Sequence, residues 1–212
     1  MPGGTLTRLA GSDQKADLHR YLRRGREAVL WKLDGLSEYD VRRPLTPTGT
    51  NLLGLVKHLA TMEFGYFGDC FGRPPGEPLP RAEEDAEDAE PNADLWRSPA
   101  SPASRSSGCT SGRAPTRTPR STRWPDAPGR VPWWTGSGEV TLHRILVHMV
   151  SETDRHAGHA DIVRELIDGA AGLSPGNDNL ARGNDNMSPG DKAWWEAYRS
   201  RLESVAGQFA GG

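Results

Sequence analysis

The chain has little that could hold it together from outside or tie it to a surface. Its 212 residues include two cysteines, Cys70 and Cys109, which make no disulfide framework, so stability has to come from a buried core. No run approaches the ~20 consecutive apolar residues of a membrane-spanning helix, and residues 1–10 lack the apolar stretch of a secretory signal. The net charge is −2, too small to create a basic field for nucleic acid. These absences lead to the expectation of a cytoplasmic protein with no membrane and no nucleic-acid partner. Phosphate-binding glycine loops, a Gly-x-Ser-x-Gly elbow and a Cys-x-x-Cys pair are missing too.

Apolar residues make up only 35% of the chain, and the deficit is local. Residues 97–125 hold six Arg, seven Ser, five Pro and four Thr, with no Asp or Glu and no Leu, Ile, Val, Met or Phe. Five prolines forbid a continuous helix there. Such a composition fits a basic linker. It also fits a segment translated out of frame from GC-rich DNA, the reading preferred here, which resequencing the coding DNA would test. An acidic stretch, 83–94, precedes it.

Elsewhere apolar residues recur at helical spacing. A first helix is expected from the cap Ser12 through Leu18, Leu22, Gly25, Val29, Leu33 and Leu36, ending near Gly35. Its Arg23, Arg24 and Arg26 read as a solvated face. A second helix follows Thr50 or Asn51, burying Leu52, Leu55, Leu59, Met62 and Tyr66, with Cys70 in the core beyond it. A long helix is expected over 140–167, stopped at Gly169. Gly-Asn-Asp-Asn then occurs twice, at Gly176 and Gly183. A last helix, 188–208, opens with Ser188 and Pro189 and carries a packing stripe of Trp194, Tyr198, Leu202 and Val205.

The long helix contains the chemistry. Leu142, Ile145 and Met149 begin an apolar seam, and Val163 and Leu166 resume it. Between them the count falls on Glu152, His156 and His159. Polar groups on a buried seam cost roughly 2–7 kcal/mol each if unpaired, and a metal ion would compensate, since His and Glu are ordinary zinc ligands. Glu152 and His156 at i and i+4 share one face. Two ligands leave the ion short, and His58, beside Leu59 on the second helix, is the natural third. His148, one turn before Glu152, and His159 stand as outer partners or alternative ligands. A lone seam histidine is usually only hydrogen-bonded, and Glu152 could instead pair with an arginine. His19 and His143 carry no such signal, and neither cysteine reads as a nucleophile.

Asn51-Leu-Leu-Gly-Leu-Val-Lys-His58-Leu and His148-Met-Val-Ser-Glu152-Thr-Asp-Arg-His156-Ala-Gly-His159-Ala-Asp resemble motifs of the DinB-like superfamily. The nearest likeness is to its actinobacterial branch, related to mycothiol-dependent maleylpyruvate isomerase. The resemblance covers about 13–96 and 131–209. It implies one all-α domain, 1–212, folded as an up-down-down-up four-helix bundle, whose third helix would fall on 97–125 and be disrupted. It further implies a divalent metal on His58, Glu152 and His156, zinc first and nickel, iron or manganese as alternatives. Many relatives carry His where this chain has Glu152.

The implied activity is a thiol-dependent transferase or isomerase, in which mycothiol or another small thiol attacks an electrophilic substrate. Arg155 or Arg164 would contact a carboxylate of that substrate. A non-catalytic metal-binding stress or sensor bundle and a defective copy with intact ligands are the alternatives. Apolar faces left open by a missing third helix would favour a homodimer.

Overall fold

The computed structural model describes residues 14–73, 126–180 and 192–210. Among these the fold is all-α: four α-helices, α1 (Gln14–Trp31), α2 (Leu52–Phe67), α3 (Leu142–Asp168) and α4 (Lys192–Gly207), with a 3-10 turn at Asp69–Phe71. The only strands among them form two short antiparallel hairpins, β1 (Pro128–Arg130) with β2 (Glu139–Thr141), and β3 (Gly172–Ser174) with β4 (Asn177–Asp178). The expected cap Ser12, the acidic stretch 83–94, the Arg/Ser/Pro-rich stretch 97–125, Cys109, the second Gly-Asn-Asp-Asn and the Ser188-Pro189 start lie outside the described residues.

Local chemistry sets the helix ends. Asn51 caps α2, its Oδ1 accepting the Gly54 N–H at 2.8 Å, and Thr141 caps α3 by accepting from Arg144 N at 3.2 Å. Gly169, at φ 85°, ends α3 in the left-handed conformation that glycine adopts without strain. α1 stops earlier than its apolar spacing suggests. Lys32, Leu33 and Asp34 make tighter i to i−3 bonds to Val29, Leu30 and Trp31, and the chain turns away at Gly35 with φ 75°.

α2 is buried nearly all round, from Leu52 to Phe67. Side-chain contacts give the directions of its neighbours. His58 meets His156 and Tyr66 meets His148, so α2 and α3 are antiparallel. Gly25 lies against Thr153 and Lys32 against Asp161, so α1 and α3 run the same way. Cys70 packs with Leu22, Tyr66, Val131, Leu146 and Met149 in the largest cluster, as its sequence surroundings suggested.

The seam of α3 corrects the sequence reading. Its buried residues include Met149, Thr153, Ala157, Ala160 and Val163, so the interior face passes beside Glu152 and His156, which are half-buried, while His159 is exposed. Leu166, counted as core, is 59% exposed. Counting only large apolar residues misplaced the face, because this stretch of seam is built from small ones. Small residues let α1 come close. A Cβ on Gly25 would lie 2.9 Å from Thr153 Cγ2 and 2.7 Å from Asp154 Oδ1. The arginine face of α1 is also only partly solvated, for Arg26 reaches inward to Glu63 Oε1 at 2.5 Å.

α4 buries none of its residues. Its stripe therefore packs at the surface: Trp194 stacks on Tyr198 at 5.1 Å, and Trp195 donates to Asn179 O at 3.2 Å. Further toward the carboxyl end of α3, Lys32 is fully buried. Its Nζ pairs with Asp161 Oδ1 at 2.9 Å and donates to the carbonyls of Ala28 (3.3 Å) and Gly172. Arg164 pairs with Asp168 at 2.6 Å and donates to Lys32 O and Asp34 O at 2.8 and 3.0 Å. Arg164 is thus a buried tie between α1 and α3, which corrects its expected role as a substrate contact; Arg155 is exposed.

Candidate metal centre

One turn of α2 and two turns of α3 bring His58, Glu152 and His156 together. One ligand atom from each lies within 4.8 Å of the other two, and all three side chains are half-buried. Among the described residues this is the group of His, Cys, Asp and Glu side chains spaced to hold a metal ion. The two imidazoles meet edge to face, with ring centroids 4.9 Å apart and planes at 71°. His156 Nε2 lies 3.5 Å from Glu152 Oε2. That contact turns Nε2 toward the group and leaves Nδ1 facing outward, 3.3 Å from Nδ1 of His159. Either ring can be the donor in this Nδ1 to Nδ1 contact, depending on tautomer, and the contact orients the His156 ring. His159 is therefore a neighbour of His156 on the solvent side.

Electrostatics leave the imidazole uncharged. Burial, then the nearby His58, pull the pKa of His156 down to about 4, against the opposing pull of Glu152. At neutral pH its ring is neutral and carries a free lone pair. A carboxyl group, a neutral His156 ring and the His58 imidazole make a donor set that suits a divalent cation. The fit follows from donor chemistry and spacing; the energetic argument from a fully buried seam does not hold, since the three residues flank the interior.

His148 sits in different surroundings. Its ring packs edge-on against Tyr66 at 4.7 Å and Trp134 at 5.1 Å, and burial lowers its pKa. The Tyr66 hydroxyl in turn accepts the indole N–H groups of Trp133 (3.3 Å) and Trp134 (3.2 Å). Sequence reasoning missed this aromatic group. The Trp133-Trp134 pair in a Gly-rich loop was the available signal, but nothing local shows that the loop folds back onto α2. Lys32 was missed for the reverse reason. It lies three residues after Val29, just past the end of α1, and a lysine there is easily taken as solvated.

Comparison with known families decides the affiliation. The family model described as mycothiol S-transferase matches residues 17–169, well over half of the chain. The chain belongs to the mycothiol S-transferase family. The match takes in most of α1 and all of α2 and α3, with His58, Glu152 and His156, and leaves out α4. It agrees with the likeness to the DinB-like actinobacterial branch carried by the two histidine motifs. No curated protein and no solved structure matches the chain. Among the described residues no helix is long and apolar enough to cross a membrane.

Proposed function

We propose that the protein is a metal-dependent thiol S-transferase that uses mycothiol or a closely similar small thiol against an electrophilic substrate. The carrying observation is the convergence of His58, Glu152 and His156 within 4.8 Å in a chain of the mycothiol S-transferase family. In this reading the three side chains would hold a divalent ion, zinc first, with nickel, iron or manganese as substitutes. Such an ion, when bound, favours the thiolate form of a thiol beside it, which is the nucleophilic form.

The chain's own residues supply the rest. His156 presents a neutral Nε2 because burial removes its proton well below neutral pH. Glu152 contributes the one negative charge, so the site retains net attraction for a cation after two neutral ligands bind. His159 fixes the ring of His156 from outside. Since the attacking sulfur comes with the small thiol, no protein cysteine is needed, consistent with Cys70 being buried. A sulfur–carbon bond forms as the thiol proton passes to water, and the electrophile either expels its leaving group or, at an activated double bond, takes a proton from water on the adjacent carbon. Both give a thioether, and from the double-bond adduct, rotation and re-elimination of the thiol would give an isomer.

The test pairs metal analysis with turnover. Purified wild type should carry about one equivalent of divalent metal and consume mycothiol with model electrophiles. His58→Ala, Glu152→Ala and His156→Ala should each lose the metal and fall to background rate, a loss of at least ~100-fold, in proportion to other outer- and inner-ligand losses at metal sites. Unchanged metal content in His58→Ala and Glu152→Ala would defeat the ligand assignment. Metal retention without any thiol consumption would favour a non-catalytic binding role.

A further inference from the structure

The loop joining β1 to β2 presents a fixed aromatic surface that the three ligands do not use. Val131 N–H donates to Gly138 O at 2.8 Å. Gly138 takes φ 69°, and a Cβ there would lie 2.5 Å from Val131 O. The loop is thereby closed tightly, and it sets Trp133 and Trp134 over Tyr66, to whose hydroxyl both indoles donate. Tyr66 is 5% exposed, yet Trp133 leaves 54% of its surface in solvent. An indole whose N–H is held by a buried hydroxyl while its body stays in water offers a rigid flat surface to a ligand.

The polar groups beside it indicate which kind. The Arg144 guanidinium lies 4.8 Å over the Trp134 ring, is exposed, and makes no ion pair among the described residues. It also lines an open hollow of about 710 Å³ with Asp126, Arg130 and Glu139. Charges of both signs disfavour a polyanion or polycation. Planar donors and acceptors beside an aromatic surface suit vicinal hydroxyls, whose ring C–H faces can stack on an indole. Position fits as well. Tyr66 touches His148, and His148 is one helical turn, ~5–6 Å between Cβ atoms, from Glu152.

We propose that Trp133, with Arg144 and its hollow, binds the sugar–polyol half of the small thiol. The inference rests on the thiol-transfer reading. Mycothiol links its cysteine to a glucosaminyl-inositol, so a sulfur placed at His58, Glu152 and His156 leaves the two rings to extend along α3 toward this surface. Trp133 and Arg144 determine specificity for the thiol and touch no reacting atom.

The experiment has a binding arm and a kinetic arm, both on the metal-loaded full chain. In the first, sulfur-free glucosaminyl-inositol is titrated calorimetrically into wild type, Trp133→Ala, Trp133→Phe and Arg144→Ala. In the second, mycothiol and N-acetylcysteine, which has no sugar, are compared as thiol donors. Wild type should bind the fragment. Trp133→Ala and Arg144→Ala should each weaken binding about tenfold and raise KM for mycothiol by a similar factor, leaving kcat and N-acetylcysteine turnover unchanged. Trp133→Phe, which keeps a ring, should retain most of the affinity, and Arg144→Ala carries the loss-of-binding test if the alanine variant at Trp133 melts early. No fragment binding by wild type, or equal binding by wild type, Trp133→Phe and Arg144→Ala, overturns the proposal. Fragment binding that depends on Trp133 in a protein inert toward both thiols would instead sink the transferase reading and leave the polyol site standing.

Discussion

Two polar clusters flank the interior face of α3, and they differ in the kinds of group that meet. Around Lys32 and Arg164 each cation meets a carboxylate and backbone carbonyls. Lys32 has Asp161, Ala28 O and Gly172 O. Arg164 has Asp168, Lys32 O and Asp34 O. Asp161 Oδ1 also accepts Gly172 N–H at 2.7 Å. Around His58, Glu152 and His156, by contrast, three lone-pair donors converge, and the partner that faces Glu152 is an imidazole kept neutral. The first cluster is complete without any visitor and ties α1 and β3 to α3. The second gathers three side chains of the types that ligate metals, and the proposed metal site rests on that grouping. Burial alone does not separate a structural polar cluster from a candidate binding one; the kinds of group that meet do.

Lys32→Ala should break the comparison most severely. It takes the buried cation from Asp161, which keeps the Gly172 N–H, and removes the bonds to the Ala28 and Gly172 carbonyls, with an expected loss of about 3 kcal/mol, read as a large drop in the urea midpoint. A loss below ~1 kcal/mol would show that the lock contributes little. Next comes Gly25→Ala, which drives a methyl into Thr153 and Asp154. Overpacking of this kind costs about 1–3 kcal/mol, and by parting α1 from α3 it should weaken both clusters together. A thermal melt and metal content measured on the same sample check it.

The smallest effect comes from the binding cluster itself. In metal-free protein at pH 7.5, His156→Ala should change stability by less than ~1 kcal/mol, because the half-buried ring is near-neutral in its contribution. The sign should then depend on pH. His156 has a folded pKa of about 4, below its ordinary 6.5. Between those values the unfolded chain binds the extra proton, so wild type loses stability as pH falls from 6.5 toward 4. His148 and His19, lowered by burial, add the same slope, while Glu63 and Asp154, raised by burial, oppose it. The difference between wild type and His156→Ala isolates one group: at pH 5 the metal-free variant should melt above wild type by a few degrees. A difference that stays flat from pH 7.5 to 4.5 would contradict a neutral His156 in the fold.

Much of the frame was legible in the residues. Asn51 and Gly169 marked helix ends because capping is local chemistry, settled within four residues. The i, i+4 spacing of Glu152 and His156 needs only helical geometry. What misled the reading was the seam. Thr153, Ala157 and Ala160 are too small to register as core by size, yet they form it because Gly25 and its neighbours on α1 approach closely enough to cover them. The hairpin loop carrying Trp133 and Trp134, and the burial of Lys32, had no local signature, since their partners lie far along the chain.

The sequence by itself determined an all-α chain, the two histidine motifs and the family to which they belong. It nominated His58, Glu152 and His156 from ligand type and helical period. Only the tertiary structure decided that these three flank the interior instead of filling it, that His159 faces solvent, and that Arg164 is already occupied. The reason is physical. Period and capping are short-range and written in neighbouring residues, whereas burial and pairing depend on how closely two helices approach, which is set jointly by side chains on both.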